Sequence, residues 1–355
     1  MKGGRAAPGM PQIVFVVPHA EREWADVGGW HEATLDREHA RFRRGVDNWI
    51  VQGYVRLRPA LEAAGCQVAV ARRLRRGAIC IAHRDALRRF SPAMHDCFIV
   101  AVRADRPRAH VGQIEVVQNP LQLGHSGARF IPHWPQPGLV PRDVTRGARL
   151  ENAVYYGRHD AVPAWYRDAR FVGALRSLGV SFAVRDSGWN DYRDVDLVLA
   201  HRDETPAMLA TKPASKLVNA WLAGVPAVLA AEPAFEALKR GPLDFIPARD
   251  AGEALAAIAA LKREPSRYRA MVRNGLERGR ELDVDAVRAQ WLDLLLGEAV
   301  PAHARWHAEP GGGLKRIARV FIGMSVQSLE AKRFRAQERR ERRALTRPGA
   351  GASRG

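Results

Sequence analysis

A lysine in the first turn of a helix is a natural partner for an anion, because its ammonium joins backbone N–H groups that have no helical acceptor. Residues 211–230, TKPASKLVNAWLAGVPAVLA, place Lys216 at such a point. Pro213 disfavours helix at the residue before it and suits a first-turn position after it. Ser215 is the expected helix cap, and Leu217, Ala220, Trp221 and Ala223 follow at helical spacing. Gly224 falls where the helix should end on a left-handed residue. Residues 226–230, PAVLA, then read as a parallel strand buried on both faces. Further polar residues stand just after apolar runs: His19 after 13–17, Arg158 after Tyr156 and Gly157, His201 and Arg202 after 196–200, and Glu232 after the PAVLA run. Open parallel sheets bind ligands outside the carboxyl ends of their strands, which is where these side chains would gather.

Lys216-Leu217-Val218-Asn219 followed by Gly224-Val225-Pro226-Ala227-Val228 resembles the K-L-x-E-x-x-x-x-G-x-P-V-V signature of GT-B glycosyltransferases. The resemblance implies an α/β chain with two Rossmann-like domains facing a cleft. It implies a nucleotide-diphosphate sugar as co-substrate, no bound cofactor, and a glycan or lipid-linked acceptor. It also implies that Lys216 contacts the donor diphosphate and that the residue three positions later holds the ribose hydroxyls. That residue is Asn219 here, where the family usually has Glu or Asp, and Thr211 stands where many retaining members carry an earlier Glu. The two departures motivate an alternative: a protein that keeps the fold, lacks activity, and binds a glycan or a nucleotide as the partner of another transferase.

Glycosyl transfer requires that the leaving diphosphate be stabilised, the acceptor hydroxyl be deprotonated and water be kept out. Lys216 is the leading residue for the first task. Arg158 is the second, since a family arginine often joins the lysine, and His201 and Arg202 belong to the same cleft edge. Glu232 would hold a sugar or ribose hydroxyl in compensation for Asn219. The base should come from the first domain, with His19 as the leading candidate, Asp26 as its rival and His125, in Gly124-His125-Ser126-Gly127, as a third option. The pair Gly28-Gly29 would let a loop approach the acceptor closely. No phosphate loop of the form G-x-x-x-x-G-K-[ST] and no zinc-ligand spacing among the cysteines occurs, and the expected site is metal-independent.

The elements that must position these residues alternate in the α/β manner. Strands are expected at 13–17, 67–71, 78–82, 97–102 and 115–120, then at 153–157, 181–184, 196–200, 226–230 and 243–247. Helical spacing runs over 48–64, 251–263, 265–279 and 284–297, with Gly65 and Gly179 at helix ends. Residues 130–141 hold four prolines and read as an extended interdomain linker. The chain therefore divides into a disordered lead (1–12), an acceptor domain (13–145), a donor-nucleotide domain (146–300) and a basic helical tail (301–355). The family resemblance adds that the last helices pack back across both domains.

The 355 residues carry a net charge of +18. Residues 314–355 hold 12 Lys/Arg against 3 Glu, which places half of that excess in the tail. A basic tail attracts phosphates on lipid or nucleic acid. No nucleic-acid module accompanies it, which makes nucleic acid the less favoured partner. Leu314, Ile317, Ala318, Phe321, Ile322 and Leu329 recur at helical spacing, opposite Lys315, Arg316 and Arg319, so 314–345 reads as a basic amphipathic helix suited to an anionic membrane surface. Cys66, Cys80 and Cys97 sit in apolar runs and read as buried free thiols of a reducing compartment. The expected location is the cytoplasm, with peripheral attachment to the inner face of the membrane.

Overall fold

The computed structural model describes residues 10–309 and 312–345. Most of the expected disordered lead lies outside these residues, as do Pro310, Gly311 and the last ten residues of the tail.

Two all-parallel sheets form the scaffold. The first contains β1 (Gln12–Val16), β2 (Gln67–Ala71), β3 (Ile79–His83), β4 (Phe98–Val102), β5 (Ile114–Val117) and β6 (Ala128–Phe130), in the order β2-β1-β3-β4-β5-β6. The second contains β7 (Asn152–Tyr156), β8 (Ser181–Arg185), β9 (Leu197–Ala200), β10 (Ala227–Leu229) and β11 (Ile246–Pro247), in the order β11-β10-β9-β7-β8. Val14 sits opposite both Ala69 and Cys80, and Val154 opposite both Ala183 and Val198, which fixes β1 and β7 as the central strands. Strand order reverses beside each of them, so each sheet has its crevice at the carboxyl end of its first strand. Both sheets are covered on both faces, which is why β3 and β4 are buried throughout and read as unbroken apolar runs.

β6 was not expected. It is a three-residue edge strand with Arg129 at its centre, and it is held by pairing with Glu115, Val116 and Val117 rather than by apolar pattern. The proline-rich linker follows it and is clamped from both sides. Ile131 and Trp134 belong to the first core, while Val140 pairs with Asp191 of the second unit. Gly138 donates to Asp36 at 2.9 Å and its carbonyl accepts from Asn190 at 2.9 Å.

The last helices return to the first unit. Val287, Trp291, Leu294, Leu295 and Ala299 lie in the same core as β1 and β3, so the second unit's own core ends at Leu282. The C-terminal helix (Gly312–Leu345) is docked along one side. It buries Val320, Gly323 and Gln327, and Gly323 lies so close to His110 that a Cβ would stand 2.8 Å from the His110 carbonyl oxygen. Its far end reaches the second unit, where Glu341 accepts from the Ala207 amide at 2.8 Å. Most of the apolar residues expected to face a membrane, among them Leu314, Phe321, Ile322 and Leu329, are exposed. The three cysteines are buried and free.

Candidate functional site

The helix Ser215–Leu222 begins where expected, but its cap is Ala214, with Ser215 as the first helical residue and no side-chain cap. Gly224 ends it at φ 69°, the left-handed conformation that glycine adopts with least strain. Leu217, Ala220 and Trp221 anchor one face in the second core, and the Trp221 indole donates to the Asp244 carbonyl at 2.8 Å. This fixes Lys216 at the carboxyl edge of the second sheet.

The half-buried Lys216 places its ammonium 3.6 Å from the centre of the Tyr155 ring. Among the described residues no carboxylate lies within ion-pair distance of it. Burial therefore pushes its pKa well below the usual lysine value; Arg202 adds to the effect and Glu232 opposes it. Gly157 follows β7 at φ 152°, and a Cβ there would stand 2.7 Å from the Tyr155 ring and 3.3 Å from the lysine nitrogen. The glycine thus keeps open the space in front of the ammonium.

Arg202 and Glu232 complete the cluster. Arg202 pairs with one carboxylate oxygen of Glu232, reaches the Pro213 carbonyl at 3.5 Å and lies over the Phe235 ring. Glu232 is 1% exposed, and its other oxygen, Oε1, has no hydrogen-bond partner. Burial raises its pKa against the pull of Arg202 and Lys216. Glu232 precedes the helix Pro233–Leu238 without capping it through its side chain.

The remaining candidates fall elsewhere. His201 is buried: its Nε2 donates to the Ala248 carbonyl at 2.7 Å, which leaves Nδ1 to accept from the Tyr166 hydroxyl at 2.5 Å. Neither ring nitrogen is left for a ligand, and burial lowers the pKa, so the neutral ring is a structural part of the core. Arg158 is largely exposed, forks onto Asp160, and lines an interdomain cavity of ≈ 490 Å³ with His39, Arg43 and Trp189. Asn219 accepts from the Gln136 amide at 3.2 Å, so its carboxamide oxygen tethers the linker. In the first unit, His19 is exposed just past β1 and caps nothing with its side chain. Asp26 is gripped by Arg41 at 2.9 and 3.0 Å and by the Trp30 indole at 3.1 Å, which holds its pKa down at about 2. His125 bonds the buried Glu115 at 2.8 Å. Space is open beside Gly28 and Gly29, so neither makes a close approach.

Two Asp-x-Asp spacings also occur, Asp194/Asp196 and Asp283/Asp285. Asp196 is buried between Arg142 and Arg146, at 2.8 and 2.7 Å, Asp194 is held by Arg185, and Asp283 caps the helix Val284–Leu292. Three of these four carboxylates thus hold the scaffold together.

Sequence reasoning missed the groups that bring the two units together. Gln118 and Asn119, at the carboxyl end of β5, donate to the carbonyls of Thr211 (3.2 Å), Ala210 (3.1 Å) and Lys212 (3.3 Å). Asp105, beyond β4, pairs with Lys212 at 3.1 Å. The loop that leads into the Lys216 helix is thus held by the first domain. The available signal was the one used for His201: polar residues directly after a buried run. Tyr155, the ring under Lys216, carried no signal beyond its place in a strand.

No family model and no curated protein matches the chain. Solved structures similar to it include Anabaena Alr3699/HepE in complex with UDP and glucose (13% identity, TM-score 0.46, 81% of this chain and 100% of that one). Another is AviGT4, a glycosyltransferase involved in avilamycin A biosynthesis (14%, TM-score 0.43, 77% and 98%). A third is sucrose-phosphate synthase from Thermosynechococcus elongatus (13%, TM-score 0.43, 62% and 73%). All three are distant likenesses of fold.

Proposed function

We propose that this chain is a glycosyltransferase that moves a sugar from a nucleotide-diphosphate donor to a glycan or lipid-linked acceptor without a metal. The observation that carries this reading is the unpaired Lys216 ammonium, set at the start of a helix on the carboxyl edge of the second sheet and kept accessible by Gly157. A partly desolvated cation with no counter-charge is unfavourable unless an anion completes it. A diphosphate would do so and would also meet the first-turn amides. The orphan Oε1 of Glu232 supplies an acceptor for a ribose or sugar hydroxyl beside it.

In the transfer step the acceptor oxygen bonds to the anomeric carbon as the bond from that carbon to the diphosphate oxygen breaks. Negative charge grows on the leaving group, where Lys216 receives it. The hydroxyl proton passes to a first-domain base, for which exposed His19 is better placed than Asp26, already held by Arg41. The exposed apolar residues of the C-terminal helix, next to Lys315, support an acceptor met at an anionic membrane surface. No helix among the described residues is long and apolar enough to cross a membrane.

The test is a thermal-shift screen of UDP and GDP sugars, since a ligand that binds only the folded state raises Tm. Lys216→Ala should weaken the binding of the active donor by about tenfold or more. An undiminished shift in that variant counts against the assignment. Donor binding with neither hydrolysis nor transfer would instead favour the inactive binding partner.

A further inference from the structure

Beyond the donor edge, a cavity of ≈ 480 Å³ opens where four parts of the chain meet: the loop after β3, the loop after β4, the short helix Pro206–Leu209 and the C-terminal helix. Arg84 lines it and is only 4% exposed. Its Nε donates to the Arg108 carbonyl at 3.1 Å, while Nη1 has no partner. Among the described residues no carboxylate lies within ion-pair distance of Arg84. The acids around the cavity are already taken: Asp85 by Arg88 and Arg106 (2.8 and 3.2 Å), Asp105 by Arg106 and Lys212 (2.6 and 3.1 Å), and Glu338 by Arg342 (3.7 Å). Arg84 is therefore a buried guanidinium without a counter-ion, and burial lowers its pKa accordingly. Across the cavity, Gln327 is 2% exposed. Its Nε2 donates to the Leu87 carbonyl at 2.8 Å, which leaves Oε1 as an acceptor with nothing to accept from. Exposed Arg335 lines the mouth.

We propose that this cavity binds a phosphate ester that also carries a hydroxyl: the anion completes Arg84, with Arg335 at the rim, and the hydroxyl donates to Gln327. Guanidinium suits phosphate because its planar fork can bond two oxygens at once. The cavity is lined by Asp105, which pairs with Lys212 in the loop that leads into the Lys216 helix. Resting on the glycosyltransferase reading, it is the site for a phosphorylated acceptor. That phosphate has two possible sources, a soluble sugar phosphate or a lipid headgroup, and the exposed Phe321, stacked on Phe90 near the same stretch of helix, puts a lipid surface within reach of the second.

The experiment measures binding of glucose 1-phosphate and, separately, of UDP by calorimetry on the full chain. Arg84→Met should weaken glucose 1-phosphate by about tenfold or more and leave UDP unchanged, while Lys216→Ala should do the reverse. Gln327→Leu should bring glucose 1-phosphate down to the affinity of inorganic phosphate, and Arg335→Ala, a surface change that tests the cavity even if Arg84→Met does not fold, should weaken it by about threefold. Glucose 1-phosphate binding that is absent, or unchanged by both Arg84→Met and Arg335→Ala, overturns the proposal. Loss of UDP binding alone overturns the donor reading and leaves the cavity standing. Displacement of glucose 1-phosphate by phosphatidylglycerol vesicles, but not by phosphatidylcholine vesicles, assigns the phosphate to a lipid. Binding that survives both kinds of vesicle assigns it to a soluble ester.

Discussion

The carboxyl end of β1 and the carboxyl edge of the second sheet are both rich in charge, yet they use it in opposite ways. Past β1 the charges around Asp26 are answered. Asp26 lies in the fork of Arg41, Arg41 stacks 4.6 and 4.7 Å from the Trp24 and Trp30 rings, and Arg44 pairs with Glu23. Past β7, β9 and β10 the account stays open. Lys216 has an aromatic ring but no anion, and Glu232 has one oxygen paired and one orphaned. Buried polar groups in native proteins are nearly always satisfied, so the open edge points to a missing partner. The closed edge is a clamp that shapes the loop beneath it.

The largest expected effect breaks the pair within the open edge. Glu232→Ala leaves Arg202 buried with no carboxylate, and removing one member of a buried pair destabilises by about 3–5 kcal/mol. Urea unfolding should show a fall of that size, with a smaller one for Glu232→Gln, which keeps an acceptor for Arg202. Equal losses in the two variants would mean that Glu232 acts through packing and not through its charge.

This contrast also separates what was legible in the sequence from what was not. The strands were legible because parallel strands covered on both faces become apolar runs, and the helix ends because Gly65, Gly179 and Gly224 all take positive φ. The face on which a strand-end residue lies was harder to see. Leu197 and Leu199 pack on one face of β9, Val198 and Ala200 on the other with the Lys216 helix. Carrying that alternation two residues further sends His201 into the core with Tyr166 and Arg202 to the side of Lys216. The pattern was present, but strand-end position alone treated the two residues as equals. The C-terminal helix misled differently. Its apolar residues outnumber those it buries, and the docked face is chosen by a glycine that fits the His110 backbone and a glutamine that bonds Leu87. Neither residue registers as apolar periodicity.

An intermediate effect sharpens the comparison through pH. Burial holds the pKa of Lys216 below its usual value in the ligand-free protein, and a bound diphosphate would favour the charged form and raise it again. Arg202 and Lys212 oppose the charge and Glu232 supports it. Between the two values, binding takes up a proton, so affinity should fall by as much as about tenfold per pH unit as pH rises through the lower value. Calorimetric titrations at successively higher pH, up to the usual lysine range, should show this decline in the natural protein and lose it in Lys216→Gln. A flat profile in the natural protein would mean that the lysine does not meet the phosphates.

The smallest effect belongs to the closed edge. The pKa of Asp26 is held at about 2, below the ordinary 3.8 of an aspartate, chiefly by the hydrogen bonds from Arg41. Its folded pKa is the lower one, so the carboxylate contributes stability above pH 3.8 that is lost as pH falls towards about 2. The pair is well exposed, so solvent and salt screen it, and Asp26→Asn should cost less than about 1 kcal/mol at neutral pH. The deficit should shrink in high salt and close as the medium is acidified through that window. The same variant decides what the carboxylate does in transfer. A general base removed from a reaction lowers its rate by about a hundredfold or more. Arg41 already occupies both oxygens of Asp26, so kcat should stay within about threefold of the natural protein, a change too small for a lost base. A hundredfold loss with stability intact would move the chemistry onto the edge that looks closed, and the contrast between the two sheets would no longer separate clamp from site.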